Sequence, residues 1–147
     1  MVKSGLIFAA VSLLVAFLVT LLLPYCVPCL APFLAVGAGY LAGVFSQPAD
    51  QASAAKAGAA AGALGGAGAL LGHLLGGAAN ALLVGPEGAV ETLRGLGLPA
   101  ADLTPGMYYG VTFGLAVCLG LIEIALMAGV GALGGLLWWQ ARRPRAA

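Results

Sequence analysis

Charge is scarce in this chain. Only 7% of its 147 residues are Asp, Glu, Lys or Arg, while 62% are hydrophobic; a soluble domain carries roughly 25% charged residues. So few charges cannot cover a water-facing surface, which excludes an ordinary soluble domain. The formal net charge of +1 excludes the basic footprint of a nucleic-acid partner. Histidine occurs once, at His73, so there is no HExxH zinc motif and no Ser/His/Asp group. No phosphate-binding loop is present either, because the glycine near-runs lie within a membrane helix, not between a strand and a helix. Cysteine is limited to Cys26, Cys29 and Cys118, and three thiols without a nearby histidine leave a tetrahedral metal underligated. The expectation is a non-enzymatic protein with no catalytic residue, no cofactor and no metal.

What the chain does have is apolar length and glycine. Leu6–Leu23 is an apolar run without a charge, preceded by Lys3. It is long enough for a bilayer core of about 30 Å and longer than the apolar region of a signal peptide, about 7–15 residues, so it reads as a retained span. Three further spans follow, giving an all-α, integral membrane four-helix bundle in a single domain. The predicted spans are about 5–23, 29–45, 54–84 and 107–140, with a polar outer loop over 85–106. Pro24, Pro28 and Pro32 disfavour helix on the residues before them, which sets the start of the second span near Cys29. Ser12 and Thr20 in the first span can bond back to carbonyls of their own helix. Asp50 or Ser53 supplies an N-cap for the third span. Pro86 starts a short helix to Arg94, with Glu87 near its positive end, and this helix lies on the membrane surface.

The third span is the organising element. Gly58, Gly62, Gly66, Ala69, His73, Gly77 and Asn80 recur at helical spacing. Each glycine would cost a helix in water about 1 kcal/mol relative to Ala. In a bilayer the backbone must satisfy its own hydrogen bonds, and the glycines then let a second helix approach closely. On the fourth span, Gly120, Glu123, Met127, Gly131 and Gly134 form a matching stripe. Two small-residue faces pack together, so the third and fourth spans are expected to clasp.

Basic residues near the span ends set the orientation. Lys3, Lys56, Arg142, Arg143 and Arg145 fall on one side and only Arg94 on the other. Both termini are therefore expected in the cytoplasm of a multi-pass cell-membrane protein, with the bilayer and other membrane subunits or further copies of itself as partners. Trp138 and Trp139 serve as interface anchors at the cytoplasmic end. Measured from that end, Glu123 lies about 23 Å from Trp138 and His73 about 24 Å from Ala57, at 1.5 Å per residue. Ionisable residues inside a membrane are costly and suggest function. Equal depth on facing stripes predicts that His73 and Glu123 meet, either as a structural lock between helices or as a proton- or ion-handling site.

Cys26-Val27-Pro28-Cys29 sits at the outward end of the second span, with Cys118 at a similar level. Structural disulfide, buried thiols and redox-active dithiol all fit these positions. The CxxC placement resembles the four-span thiol oxidases that pass electrons from a periplasmic protein to quinone. That resemblance implies a redox pair at Cys26 and Cys29, although 85–106 lacks the second cysteine pair of that family. Ala59–Gly72 (AAAGALGGAGALLG) with Gly120–Gly129 (GLIEIALMAG) resembles the rotor proteolipids of ATP synthases, whose ion-carrying acid maps onto Glu123. Here a long outward loop, not a short cytoplasmic one, joins the two helices. In layout the whole chain resembles small Gly/Ala-rich four-span bacterial membrane proteins, a likeness that assigns no residue roles. The function expected first is a structural or accessory subunit of a membrane assembly. A thiol-redox protein comes second, and a small ion or proton transporter or channel using His73 and Glu123 third.

Overall fold

The computed structural model describes residues 2–22, 27–95, 97 and 104–142. Within them the chain is all-α: α1 (Val2–Leu22), α2 (Val27–Ser46), α3 (Gln51–Gly95) and α4 (Pro105–Arg142). Residues 4–22 of α1, 51–91 of α3 and the whole of α4 are long and apolar enough to cross a membrane, whereas the apolar part of α2, Leu30–Ser46, is shorter. The architecture is a glycine-seamed bundle in which α3 packs most extensively, against α4 and then α1.

Local chemistry sets the helix ends. Ser46 Oγ donates to the Ala42 carbonyl at 2.6 Å, and Gln47, with φ 42°, closes α2 in the left-handed conformation that helix ends favour. Asp50 caps α3: its Oδ1 accepts from Ser53 N and its Oδ2 from Ser53 Oγ, both at 2.8 Å. Thr104 caps α4, its Oγ1 accepting from Met107 N at 3.3 Å, with Pro105 at the first helical position, where its missing N–H costs nothing. Gly85 interrupts α3 with φ 67° and ψ 175°, so the short helix expected from Pro86 continues α3 beyond a kink. Several helix boundaries lie outside the predicted spans. Helix α2 begins at Val27 and runs through Pro28 and Pro32: a proline in the first turn forfeits no bond, and Pro32 forfeits only one. Helix α4 extends further at both ends, from Pro105 to Arg142.

The Ser53 amide, then the Ser53 hydroxyl, hold the Asp50 carboxyl below the usual carboxylate range. A carboxyl depressed in the folded state stabilises it above the unfolded value of about 3.9, and that contribution fades as pH falls through the lower, folded value. Asp50→Ala is therefore expected to lower amide protection in the first turn of α3 severalfold at neutral pH. The difference from wild type should vanish in strong acid, as hydrogen exchange would report.

Two rows of glycine on α3 explain the packing. Gly58, Gly62 and Gly66 face α4, where a Cβ on Gly62 would overlap the Met127 carbonyl oxygen and one on Gly66 would lie 2.8 Å from Ile124 Cα. Gly68, Gly72 and Gly76 face α1, against the backbones of Ala9, Leu13 and Phe17. The rows are offset by about 80° around a helix of 3.6 residues per turn. The order of these contacts makes α1 parallel to α3 and α4 antiparallel to it. The second row was not singled out from the sequence, although it has the same four-residue spacing.

The expected α4 stripe divides between neighbours. Gly131 lies against Gly58 and Gly62, and Gly120 against the Leu70 side chain. Gly134 instead meets the Val36 carbonyl of α2, and it is Gly135 that packs on Ala54 of α3. Gly77 has nothing within 4 Å of a would-be Cβ, so it takes no part in a seam. Trp138 packs inside the bundle: it is 7% exposed, lies under Gly43 of α2 and carries the Arg142 guanidinium 5.3 Å above its ring.

Candidate functional site: an intramembrane polar cluster

Met127, the largest fully buried side chain, is 1% exposed and lies among Ala16, Ala31, Ala35 and Ala69. About one helical turn from it toward the bundle end distal to Val2 and Arg142, three polar side chains converge from three helices. Gly120 and Gly66 bring α4 close to α3, and Gly76 brings α1 onto the same stretch of α3. His73 on α3 and Glu123 on α4 therefore meet, Nε2 to Oε2, at 3.1 Å, with side chains 17% and 13% exposed. Thr20 of α1 completes the set, its Oγ1 2.9 Å from His73 Nδ1. The sequence offered Thr20 a bond to its own helix. The structure directs its hydroxyl across the seam instead, because Gly76 lets α1 approach until Thr20 touches α3.

Both imidazole nitrogens are thus engaged. One carboxylate oxygen is not: Glu123 Oε1 is buried without a hydrogen-bond partner among the described residues, as is Ser12 Oγ. Ser12 and Glu123 line one small cavity with Ala16, Ala69 and Met127. Its volume of about 10 Å³ is about the space of a single water, and its walls are otherwise apolar. Inside a membrane such a set can fasten helices, hold a proton, or do both. One carboxylate and one imidazole are too few donors for a structural metal, and no cluster of three His, Cys, Asp or Glu occurs among the described residues.

Cys118 is exposed and free. Cys26, and the side chain of Cys29, lie outside the described residues.

A second feature stands out on α4. Its buried residues are Gly120, Met127, Gly131, Gly134, Gly135 and Trp138, so none precedes Gly120. In that distal stretch Met107, Val111, Leu115 and Leu119 are each more than half exposed, and Gly106, Gly110 and Gly114 have nothing within 4 Å.

The fold is an all-α helical bundle, three of whose helices are long and apolar enough to cross a membrane. No protein family, no characterised protein and no solved structure matches the chain.

Proposed function

We propose that the chain is an accessory subunit of a membrane assembly, crossing the bilayer four times with both termini in the cytoplasm, and that it docks through the distal part of α4. The observation that carries this reading is that α4 has no buried residue before Gly120 although it is apolar there. From Trp138 to Gly120 the helix rises about 27 Å, which already matches the hydrocarbon core of about 30 Å. Met107–Leu119 adds roughly 20 Å of apolar helix. A tilt of about 40°, the upper end for membrane helices, still projects Met107–Trp139 to roughly 37 Å. Another apolar surface is needed to cover the excess, and Gly106, Gly110 and Gly114, spaced four apart, form the kind of groove into which a neighbouring helix fits. The glycines between helices within the bundle are already covered by its own backbones and side chains, so the docking role falls to this stretch.

Gly110→Leu with Gly114→Leu tests the reading. Among the described residues nothing from another helix lies within 4 Å of a Cβ at either position, so the variant is expected to melt like wild type. Its association with copies of itself or with a co-purifying membrane protein should weaken by roughly tenfold or more, equivalent to about 1.4 kcal/mol. Native mass spectrometry of the wild type showing only a lone monomer, with no membrane protein recovered alongside it, would refute the proposal.

A further inference from the structure

We propose that Thr20, His73 and Glu123 form a proton-binding site that exchanges with the distal side of the membrane only. The inference is independent of the docking role of α4.

The geometry suits a site that is both loaded and unloaded. With no added proton, the set carries a neutral imidazole and a carboxylate: Nε2–H donates to Glu123 Oε2, and the Thr20 hydroxyl donates to Nδ1. With one proton added, Nδ1 carries hydrogen and donates to the Thr20 oxygen, while imidazole and carboxyl share the second hydrogen between Nε2 and Oε2. The threonine hydroxyl is donor in one state and acceptor in the other, so neither state leaves a ring nitrogen unpartnered. The loaded set is neutral overall. The unloaded set bears one negative charge in an apolar surround, which is costly without a partner. The bound species is therefore a proton taken from water, and it returns there on release.

Access is asymmetric. On the proximal side Ala16, Ala69 and Met127 are all no more than 4% exposed, and beyond them α3 and α4 touch backbone to backbone at Gly62 and Met127. On the distal side Gly77, one turn from His73 along α3, leaves open space, and half-buried Asn80 is the next polar group on that face. Few other charges bear on the site. From α1 it is faced by Thr20 and, across the cavity, Ser12; from α2 by Leu30, Ala31 and Leu34. On α4 itself the nearest other titratable group is Cys118, which is exposed. The site reports the acidity of one compartment; beneath it the water-sized cavity reaches Ser12, which is itself 1% exposed and shut off from the proximal side.

Because the chain has a single histidine, imidazole-¹⁵N labelling of the full-length protein in lipid nanodiscs gives signals from His73 alone. They are expected to switch reversibly between two sets of shifts as the medium is acidified, one for the unloaded and one for the loaded set. In Glu123→Gln, which keeps the side-chain shape, the transition should be displaced or lost, because the carboxylate that shares the loaded proton is gone. In proteoliposomes of one orientation, checked by trypsin access to Lys56, the signal should follow the pH of the distal compartment alone. A signal that does not change on acidification in wild type, a transition unmoved by Glu123→Gln, or a response to the proximal compartment would each overturn the proposal.

Discussion

Gly62→Val is expected to abolish the folded bundle. A Cβ at Gly62 would overlap the Met127 carbonyl oxygen, and Gly131 Cα lies 3.2 Å from the same point. Both are backbone atoms, so no rotamer change relieves the clash. Helix α4 would have to move away, opening the neighbouring contacts at Gly58 and Gly66 with it. Valine improves on glycine as a helix former by a few tenths of a kcal/mol. Overpacking a tight core typically costs 1–3 kcal/mol, and a rigid backbone clash belongs at or above the top of that range, about 3 kcal/mol. The clash wins. Size-exclusion chromatography in mild detergent should lose its monodisperse peak, and thermal melting by circular dichroism should lose its cooperative step. Gly129→Val is the control, because among the described residues nothing from another helix lies within 4 Å of a Cβ there, and it should behave as wild type. A cooperative melt in Gly62→Val equal to wild type would mean that α3 and α4 do not meet there.

Glu123→Ala is expected to destabilise the bundle by about 2 kcal/mol and to reduce folded yield in membranes. Removing one partner of a buried ion pair in a soluble protein costs about 3–5 kcal/mol, because the other is left uncompensated. In a membrane the unfolded reference state is also apolar, and interhelical hydrogen bonds average only about 0.6 kcal/mol, with a maximum near 1.7. The carboxyl–imidazole contact of 3.1 Å is charge-assisted and tied to a second bond at Thr20, which places the expected loss between those two limits. His73→Leu with Glu123→Leu removes both partners and should recover most of the stability, since an apolar pair of similar volume is often neutral or better. Equilibrium unfolding of the single and double variants in bicelles measures this. A Glu123→Ala protein as stable as wild type would show that the contact fastens nothing.

The two predictions rest on features that were unequally legible in the amino-acid order. The Gly58–Gly62–Gly66 face and the placement of His73 opposite Glu123 follow from helical rise and periodicity alone, quantities that every helix obeys. The partner of Thr20 does not follow, because a hydroxyl in a membrane helix can always bond to its own backbone, and only the closeness of α1 at Gly76 decides otherwise. The Gly68–Gly72–Gly76 row was hidden by its surroundings: where glycine is this dense, several four-residue series overlap, and spacing alone does not say which ones meet a neighbour. Gly77 illustrates the reverse case, on the stripe by arithmetic and in open space by structure. Proline rules bounded α2 too tightly, because Pro28 falls in the first turn, where its missing donor is harmless. Trp138 fitted a general preference of tryptophan for the interface. The absent side chain of Gly43, on another helix, gave it a buried slot instead.

Helices that touch backbone to backbone take up little room. Typical packed helices stand 8–10 Å apart because side chains hold them off, and along both glycine rows of α3 those spacers are missing. The bundle is therefore slender for its helix count; in a bilayer it would displace little area per copy and present a short perimeter to the surrounding acyl chains.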